Sequence, residues 1–433
     1  MIQFDKKVVT HYIMIYFLMI LNQSCMYEYF WGNLGIRVAL LGIVVLLILL
    51  RQDAVHDKYL FITGILLACT VLTRLITHGG VGLGIWVSWA LPLLWGAYVV
   101  LYDIEHFMER FIKTAVFLAI IGVVFFLIQV LAPNLLIRLL PIQYNTGFSD
   151  KIWYDSINYE EIFHPGYGVF LYSYKAGGDS LLRNTGIFTE PGICQMLYNT
   201  AIFILLFFPK RVSLESKQIK KYLLVLILAI VTVQSTTGYI ILAINLIAYL
   251  VTATEYKNHI KGFLITFSVC GLLMLGIDWL LRKDHSFIYI SIIQKFFGAH
   301  DGIQLNGSGL SRIAVSVLAL SMIPKHPLGM GADAFLDAVS LLDFRGGAGI
   351  LQFGAISGVI PLLICILFYF IPIIKSDLKI FAKISLLYMI FASLLAQSHP
   401  FYPILIIIPI WLNEYAKGTV LEKRCLNEQT NCV

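Results

Sequence analysis

Long apolar runs recur along the chain, each broken by a short polar or charged segment. A helix that crosses a bilayer needs about 20 mostly apolar residues. On that criterion the pattern predicts spans near 8–26, 33–50, 58–76, 81–102, 111–132, 193–208, 222–234, 239–254, 262–282, 355–374, 384–396 and 403–415. The predicted fold class is an all-α integral membrane protein of about twelve transmembrane helices. Residues 1–433 form one polytopic unit, with long loops at 133–192 and 283–354 and a tail at 416–433.

Composition agrees with that pattern. The 433 residues are 59% hydrophobic and 13% charged, with a mean hydropathy of +0.83, where soluble domains carry roughly 25% charged residues. The first run, Val8 to Met26, is long enough to read as a retained helix and not a cleaved signal. The seven cysteines show neither a disulfide framework nor a CxxC metal pair.

The formal charge of +6 does not mark nucleic acid as a partner. Such a footprint needs Lys and Arg clustered on one face, and here they sit in short groups between apolar runs. Lys6, Lys7, Arg51, Lys58, Arg110, Lys113, Lys210, Arg211, Lys217, Lys220 and Lys221 fall on alternate connections. Positive connections face the cytoplasm, so both termini are predicted cytoplasmic and both long loops external. Two hairpins, 222–254 and 384–415, are short for two crossings. Their turns, Ser235-Thr236-Thr237-Gly238 and Gln397 to Pro403, are predicted to be recessed and to open a depression outward, since polar backbone at that depth must line a cavity or be packed in protein.

The candidate chemistry lies in the long loops. The first ends in Leu182-Arg183-Asn184-Thr185-Gly186-Ile187-Phe188-Thr189-Glu190-Pro191-Gly192. Pro191 suits a first helical position and Glu190 a positive helix start, a structural reading that leaves Arg183 unexplained. In the second loop Ser308 or Ser311 is predicted to cap the apolar run from Ile313 to Ile323. Arg312 then falls in the first turn, where the macrodipole disfavours a cation. A bound phosphate would reverse that sign, and the planar guanidinium suits phosphate oxygens; a solvated loop arginine is the other reading. His326, between Pro324 and Pro327, is either a proton shuttle near neutral pH or merely solvated. Gly329-x-Gly331 and Gly80-x-Gly82-x-Gly84 lack a preceding strand and do not make a nucleotide loop. Between Tyr144 and Tyr174 aromatic residues, among them Trp153, Tyr154, Tyr167 and Tyr172, interleave with Asp150, Asp155, Glu160 and Glu161. That mixture suits stacked sugar rings, and equally an interfacial aromatic belt.

Arg183 to Gly192, Ser308 to Arg312 and His326 to Gly331, in this order and on two long loops, resemble the bacterial O-antigen polymerase and O-antigen ligase superfamily. Ser235-Thr236-Thr237-Gly238 is similar to a short Ser-x-x-Gly turn of that family. Gly346 to Gln352 departs from it, standing where many relatives carry a His-Asn pair. The resemblance implies a GT-C-like polytopic glycosyltransferase in the bacterial inner membrane, its site facing the periplasm or exterior. It would transfer glycan from a polyprenyl diphosphate to the acceptor sugar of a second lipid-linked repeat unit, with inversion and with neither metal nor other cofactor.

The residues carried over are Arg183, Arg312 and Ser311 for the diphosphate and Glu190 or His326 for the acceptor proton. Trp153, Tyr154, Tyr167 and Tyr172 are the glycan-binding candidates. Lipid-linked donor and acceptor, membrane lipids and a chain-length regulator protein are the implied partners. The nearest alternative is a ligase that moves finished glycan to lipid A core. The alternative from another class is a lipid-linked oligosaccharide flippase, against which stands the scarcity of charge at midplane positions.

Overall fold

A computed structural model describes residues 5–24, 26–27, 33–51, 54–77, 83–132, 135, 143–145, 165–167, 172–177, 180–252, 258–282, 308–341, 349–397 and 400–415. The chain is mostly helical. In the first half run α1 (Lys6–Ile20), α2 (Leu34–Arg51), α3 (Ala54–Thr77), α4 (Leu83–Tyr102) and α5 (Phe107–Leu131). After a small sheet come α6 (Pro191–Phe207), α7 (Ser216–Val233), α8 (Thr236–Thr252) and α9 (Asn258–Arg282). The last part holds α10 (Ser308–Met322), α11 (Ala332–Ser340), α12 (Gly349–Ser357), α13 (Val359–Lys375), α14 (Ile380–Ala396) and α15 (Pro403–Tyr415).

Every predicted span coincides with a helix. Four of the described helices, α2 to α5, are both long and apolar enough to cross a membrane by length and composition. The others are shorter. Leu50, Phe61, Leu75 and Leu131 point outward and are exposed, while His11, Gln195, Asn199 and Asn245 are buried. That inversion of a soluble fold suits hydrocarbon as the solvent, because polar groups there must be satisfied internally.

The bundle is built around α6, which buries nearly every side chain, and α15, buried from Ile404 to Leu412. A glycine allows α4 to approach α15, since a Cβ on Gly96 would stand 2.6 Å from Ile406 Cδ1. Tertiary contacts define two ends. At one end Arg110 Nη1 donates to Asp103 Oδ2 at 2.6 Å and to His11 Nδ1 at 2.6 Å. His11 Nε2 in turn donates to the Val99 carbonyl at 3.0 Å. Lys58 pairs with Glu414 at 3.1 Å, Arg51 lies over the rings of Tyr98 and Tyr102, and Arg211 lies over Tyr415. The predicted positive connections therefore meet at this charged end. Burial by itself would raise the Asp103 carboxyl; hydrogen bonds from His106 and Arg110, with the charges of Arg110 and Lys7, outweigh it and hold the group below its ordinary range.

At the opposite end the start of α15 is fastened to the end of α1. The Ile404 amide donates to Asn22 Oδ1 at 3.2 Å, and the Tyr402 hydroxyl donates to Gln23 Oε1 at 3.1 Å.

Three expectations need correction. The all-α reading left out a small antiparallel sheet in the first long loop, where β1 (Gln143–Asn145), β2 (Pro165–Tyr167), β3 (Tyr172–Gly177) and β4 (Ser180–Asn184) lie in sequential order. The second loop carries the expected helix, α10, and two that were not drawn, α11 and α12. Gly358, at φ +96°, divides α12 from α13, so the span drawn from 355 begins at Val359. The break is set by packing, since a Cβ on Gly358 would stand 2.7 Å from the Pro327 carbonyl oxygen.

The third correction concerns the two short hairpins, which behave differently. The Asn199 amide donates to the Gly238 carbonyl at 3.1 Å, and a Cβ on Gly238 would stand 2.9 Å from Gln195 Cβ. Gln195 and Asn199 lie one and two turns into α6, so at 1.5 Å per residue the α7–α8 turn is recessed roughly 6 to 12 Å below the start of α6. The α14–α15 turn is not recessed in this way. Its Gln397 amide occupies the place of a Cβ on Gly192, level with the start of α6, because α14 begins at Ile380, earlier than drawn, and so reaches further.

Candidate functional site

The end of the first loop is tied down residue by residue. Arg183 lies on β4 opposite Lys175 of β3. The next residue, Asn184, is fully buried; its amide donates to Thr232 Oγ1 on α7 at 2.9 Å, and its Oδ1 accepts from the Gly186 amide at 2.9 Å. Gly186 turns the chain at φ +58°, where a Cβ would press on Cys194 Sγ and the Tyr198 hydroxyl, each 3.4 Å away. Phe188 then bridges to Ser24, and the Thr189 amide donates to the Gln23 carbonyl at 3.2 Å. These bonds deliver Glu190 to the N-cap of α6, with Pro191 at the first helical position as expected.

Glu190 does not act as a side-chain cap. Its backbone carbonyl accepts from the Ile193 and Cys194 amides, each at 3.1 Å, while its carboxylate makes no capping hydrogen bond. Burial pulls the Arg312 guanidinium below its ordinary range, and the charges of Glu190 and Tyr402 oppose that pull. Glu190 from the first loop, Arg312 from the second and Tyr402 from the α14–α15 turn thus share one electrostatic neighbourhood. Arg183 is also half-buried; burial lowers its guanidinium and the Tyr239 hydroxyl on α8 opposes the shift.

Arg312 stands further into its helix than predicted. α10 begins at Ser308, which makes Arg312 its fifth residue. The macrodipole fades beyond the first turn, so the case for an anion there rests on the guanidinium and its neighbours. Ser311 precedes it within α10, and its side chain lies outside the described residues.

His326 does not join this neighbourhood. α10 separates it from Arg312, and the ten residues from Arg312 to Met322 rise about 15 Å. It is exposed in the turn after α10, where its amide donates to the Met322 carbonyl at 2.9 Å and its carbonyl accepts from the Gly329 amide at 2.9 Å. The glycines that follow serve packing. The Met330 and Gly331 amides donate to the Ala355 and Ile356 carbonyls, the Val359 amide donates to the Pro327 carbonyl, and Thr73 Oγ1 donates to the Leu328 carbonyl at 2.7 Å. Gly329 adopts φ +92°, and a Cβ there would stand 2.8 Å from the Ser357 carbonyl carbon.

Trp153 and Tyr154 lie outside the described residues. Tyr167 and Tyr172 are cross-strand partners of β2 and β3. Gln23, Gln397 and Tyr402 lie at this end as well: the Gln23 carbonyl accepts from Thr189, its Oε1 accepts from the Tyr402 hydroxyl, and the Gln397 amide abuts Gly192. Sequence reasoning passed over Gln23 and read Gln397 and Tyr402 only as part of a turn opening a depression. Comparison with protein-family models, with curated proteins and with solved structures finds no match to this chain.

Proposed function

We propose that the chain is a membrane glycosyltransferase that polymerises lipid-linked repeat units. It passes a glycan from polyprenyl diphosphate to a hydroxyl of a second lipid-linked unit, at a site on the external face. The observation that carries this reading is that the charge of Glu190, from the first loop, acts on Arg312, from the second, while the Glu190 carboxylate makes no capping hydrogen bond. Transfer from a diphosphate needs a cation where leaving-group charge develops and a base at the acceptor hydroxyl. Arg312 supplies the first and Glu190 the second, with Arg183 as a second cation.

In the reaction the acceptor oxygen attacks the anomeric carbon as its proton passes to Glu190. The bond to the diphosphate oxygen breaks, and the polyprenyl diphosphate leaves with the electron pair. A preorganised donor aimed at such developing charge is worth about 3 to 4 kcal/mol. His326, exposed and at the far end of α10, is assigned no part in proton transfer.

A deletion strain tests the reading in cells. Loss of a polymerase leaves a single repeat unit attached to its final acceptor, whereas loss of a ligase leaves none. Complementation with Arg312→Ala or Arg183→Ala is expected to retain the single-unit product. Full-length polymer in either complemented strain would remove that arginine from the site.

A further inference from the structure

Beside the charged end of the bundle a groove runs between α1 and α5. Arg110 bonds to His11 across the two helices, which sets Tyr12 and Lys113 at about one height and Tyr16 and Phe117 roughly 6 Å further from that end. These four, with Ile13 and Thr114, line a cavity of about 380 Å³, within the roughly 300 to 1,000 Å³ of small-molecule sites. Ile13 and Phe117 are 63% and 50% exposed, so the groove opens on the flank of the bundle, where a bilayer presents lipid.

The groups along it are ordered. Phe117, Lys113 and Glu109 follow one another at four-residue steps on one face of α5, and Lys113 Nζ donates to Glu109 Oε1. Toward the charged end the wall therefore passes from apolar to cation to carboxylate. The Lys113 side chain keeps 38% of its surface and Glu109 17%. Lys113 gives Glu109 one of three donors, and a carboxylate has a second oxygen, so each has capacity for a ligand.

The matching amphiphile carries, in the same order, a hydrocarbon chain, an anion and a cation. A purely anionic head would satisfy Lys113 and set no cation against the carboxylate. A quaternary ammonium brings charge without an N–H donor; a primary ammonium brings both. We propose that the groove holds a phospholipid of the phosphatidylethanolamine class, its phosphate on Lys113, its ammonium on Glu109 and one acyl chain against Tyr16 and Phe117. This site lies at the opposite end of the bundle from Glu190 and Arg312 and does not depend on the function proposed for them.

The test uses the full-length wild-type protein in phosphatidylcholine nanodiscs that contain a phosphatidylethanolamine with a photoreactive diazirine in one acyl chain. Labelling is expected within 12–16 and 113–117, falling several-fold under excess unlabelled phosphatidylethanolamine and little under the same mole fraction of phosphatidylglycerol. In Glu109→Gln, which keeps the groove and Lys113, the two competitors are expected to act alike. Equal competition in the wild-type protein would make the groove a general lipid contact and overturn the proposal. Selectivity that survives Glu109→Gln would overturn it by removing the carboxylate from the site, and so would labelling that spares both helices. The wild-type competition decides the matter even where the variant fails to fold.

Discussion

Glu190 occupies a position where carboxylates usually act as caps, yet its carboxylate makes no such bond. Losing a working cap costs about 1 kcal/mol, so stability and activity should separate here. Glu190→Gln is expected to leave the thermal midpoint in detergent unchanged while slowing transfer by about 10²- to 10⁴-fold, the range for loss of a general base. A fall in midpoint with normal turnover would make Glu190 structural. Asp103, at the charged end, is expected to do the reverse. Its folded carboxyl titrates below its ordinary value of about 4, so its stabilisation is complete above that value and drains away as pH falls through the lower folded value. Thermal midpoints measured from neutral to acid pH should show Asp103→Asn less stable than wild type near neutrality and level with it in acid. At this scale the charged loop residues were legible, because Arg183, Glu190 and Arg312 are conspicuous between apolar runs. Gln23, Gln397 and Tyr402 were not, since a neutral polar side chain at a helix end carries no sign of which distant helix it meets.

The glycines of the second loop act on elements. Gly329 and Gly358 hold positive φ and let two backbone segments touch, Pro327–Gly331 against Ala355–Gly358. Alanine at either site meets backbone and not a movable side chain, and single changes of this kind belong to the strongly destabilising class. Gly358→Ala is expected to lower the thermal midpoint sharply, whereas Gly42→Ala, with open space around it, should leave it nearly unchanged; equal midpoints for the two would refute the packing argument. The apolar helices were legible from run length alone, four of them long and apolar enough to cross a membrane. The division of α12 from α13 was not, because Ser357-Gly358 sits inside a continuous apolar run and only the contact with Pro327 stops the helix there. The hairpin of β3 and β4 had a local signal that was passed over, Gly178-Asp179 between two strand-forming runs. Its strands are short, and the surrounding aromatic residues also suit an interfacial belt.

For the molecule as a whole, the ends of the helices matter more than their number. The positive connections gather at one end with Asp103 and Glu414, and the candidate site lies at the other, which reproduces the charge asymmetry expected of a membrane protein. Reporter fusions after Lys210 and after Tyr415 are expected on the cytoplasmic side and a fusion after Ile187 outside; a fusion after Lys210 found outside would invert the assignment. The alternation of apolar helices with positive connections was legible because bilayer thickness and loop charge act on the whole sequence. The electrostatic link between Glu190 and Arg312 was not, since it depends on how α6, α10 and α15 pack. The most direct test of polymerase activity at this site is an incubation of purified protein with a synthetic polyprenyl diphosphate repeat unit, without nucleotide sugar or ATP and with EDTA present. A ladder spaced by one repeat mass, lost in Arg312→Ala, is the predicted result. A cognate repeat unit that stays unextended, or a ladder that survives Arg312→Ala, would contradict the account.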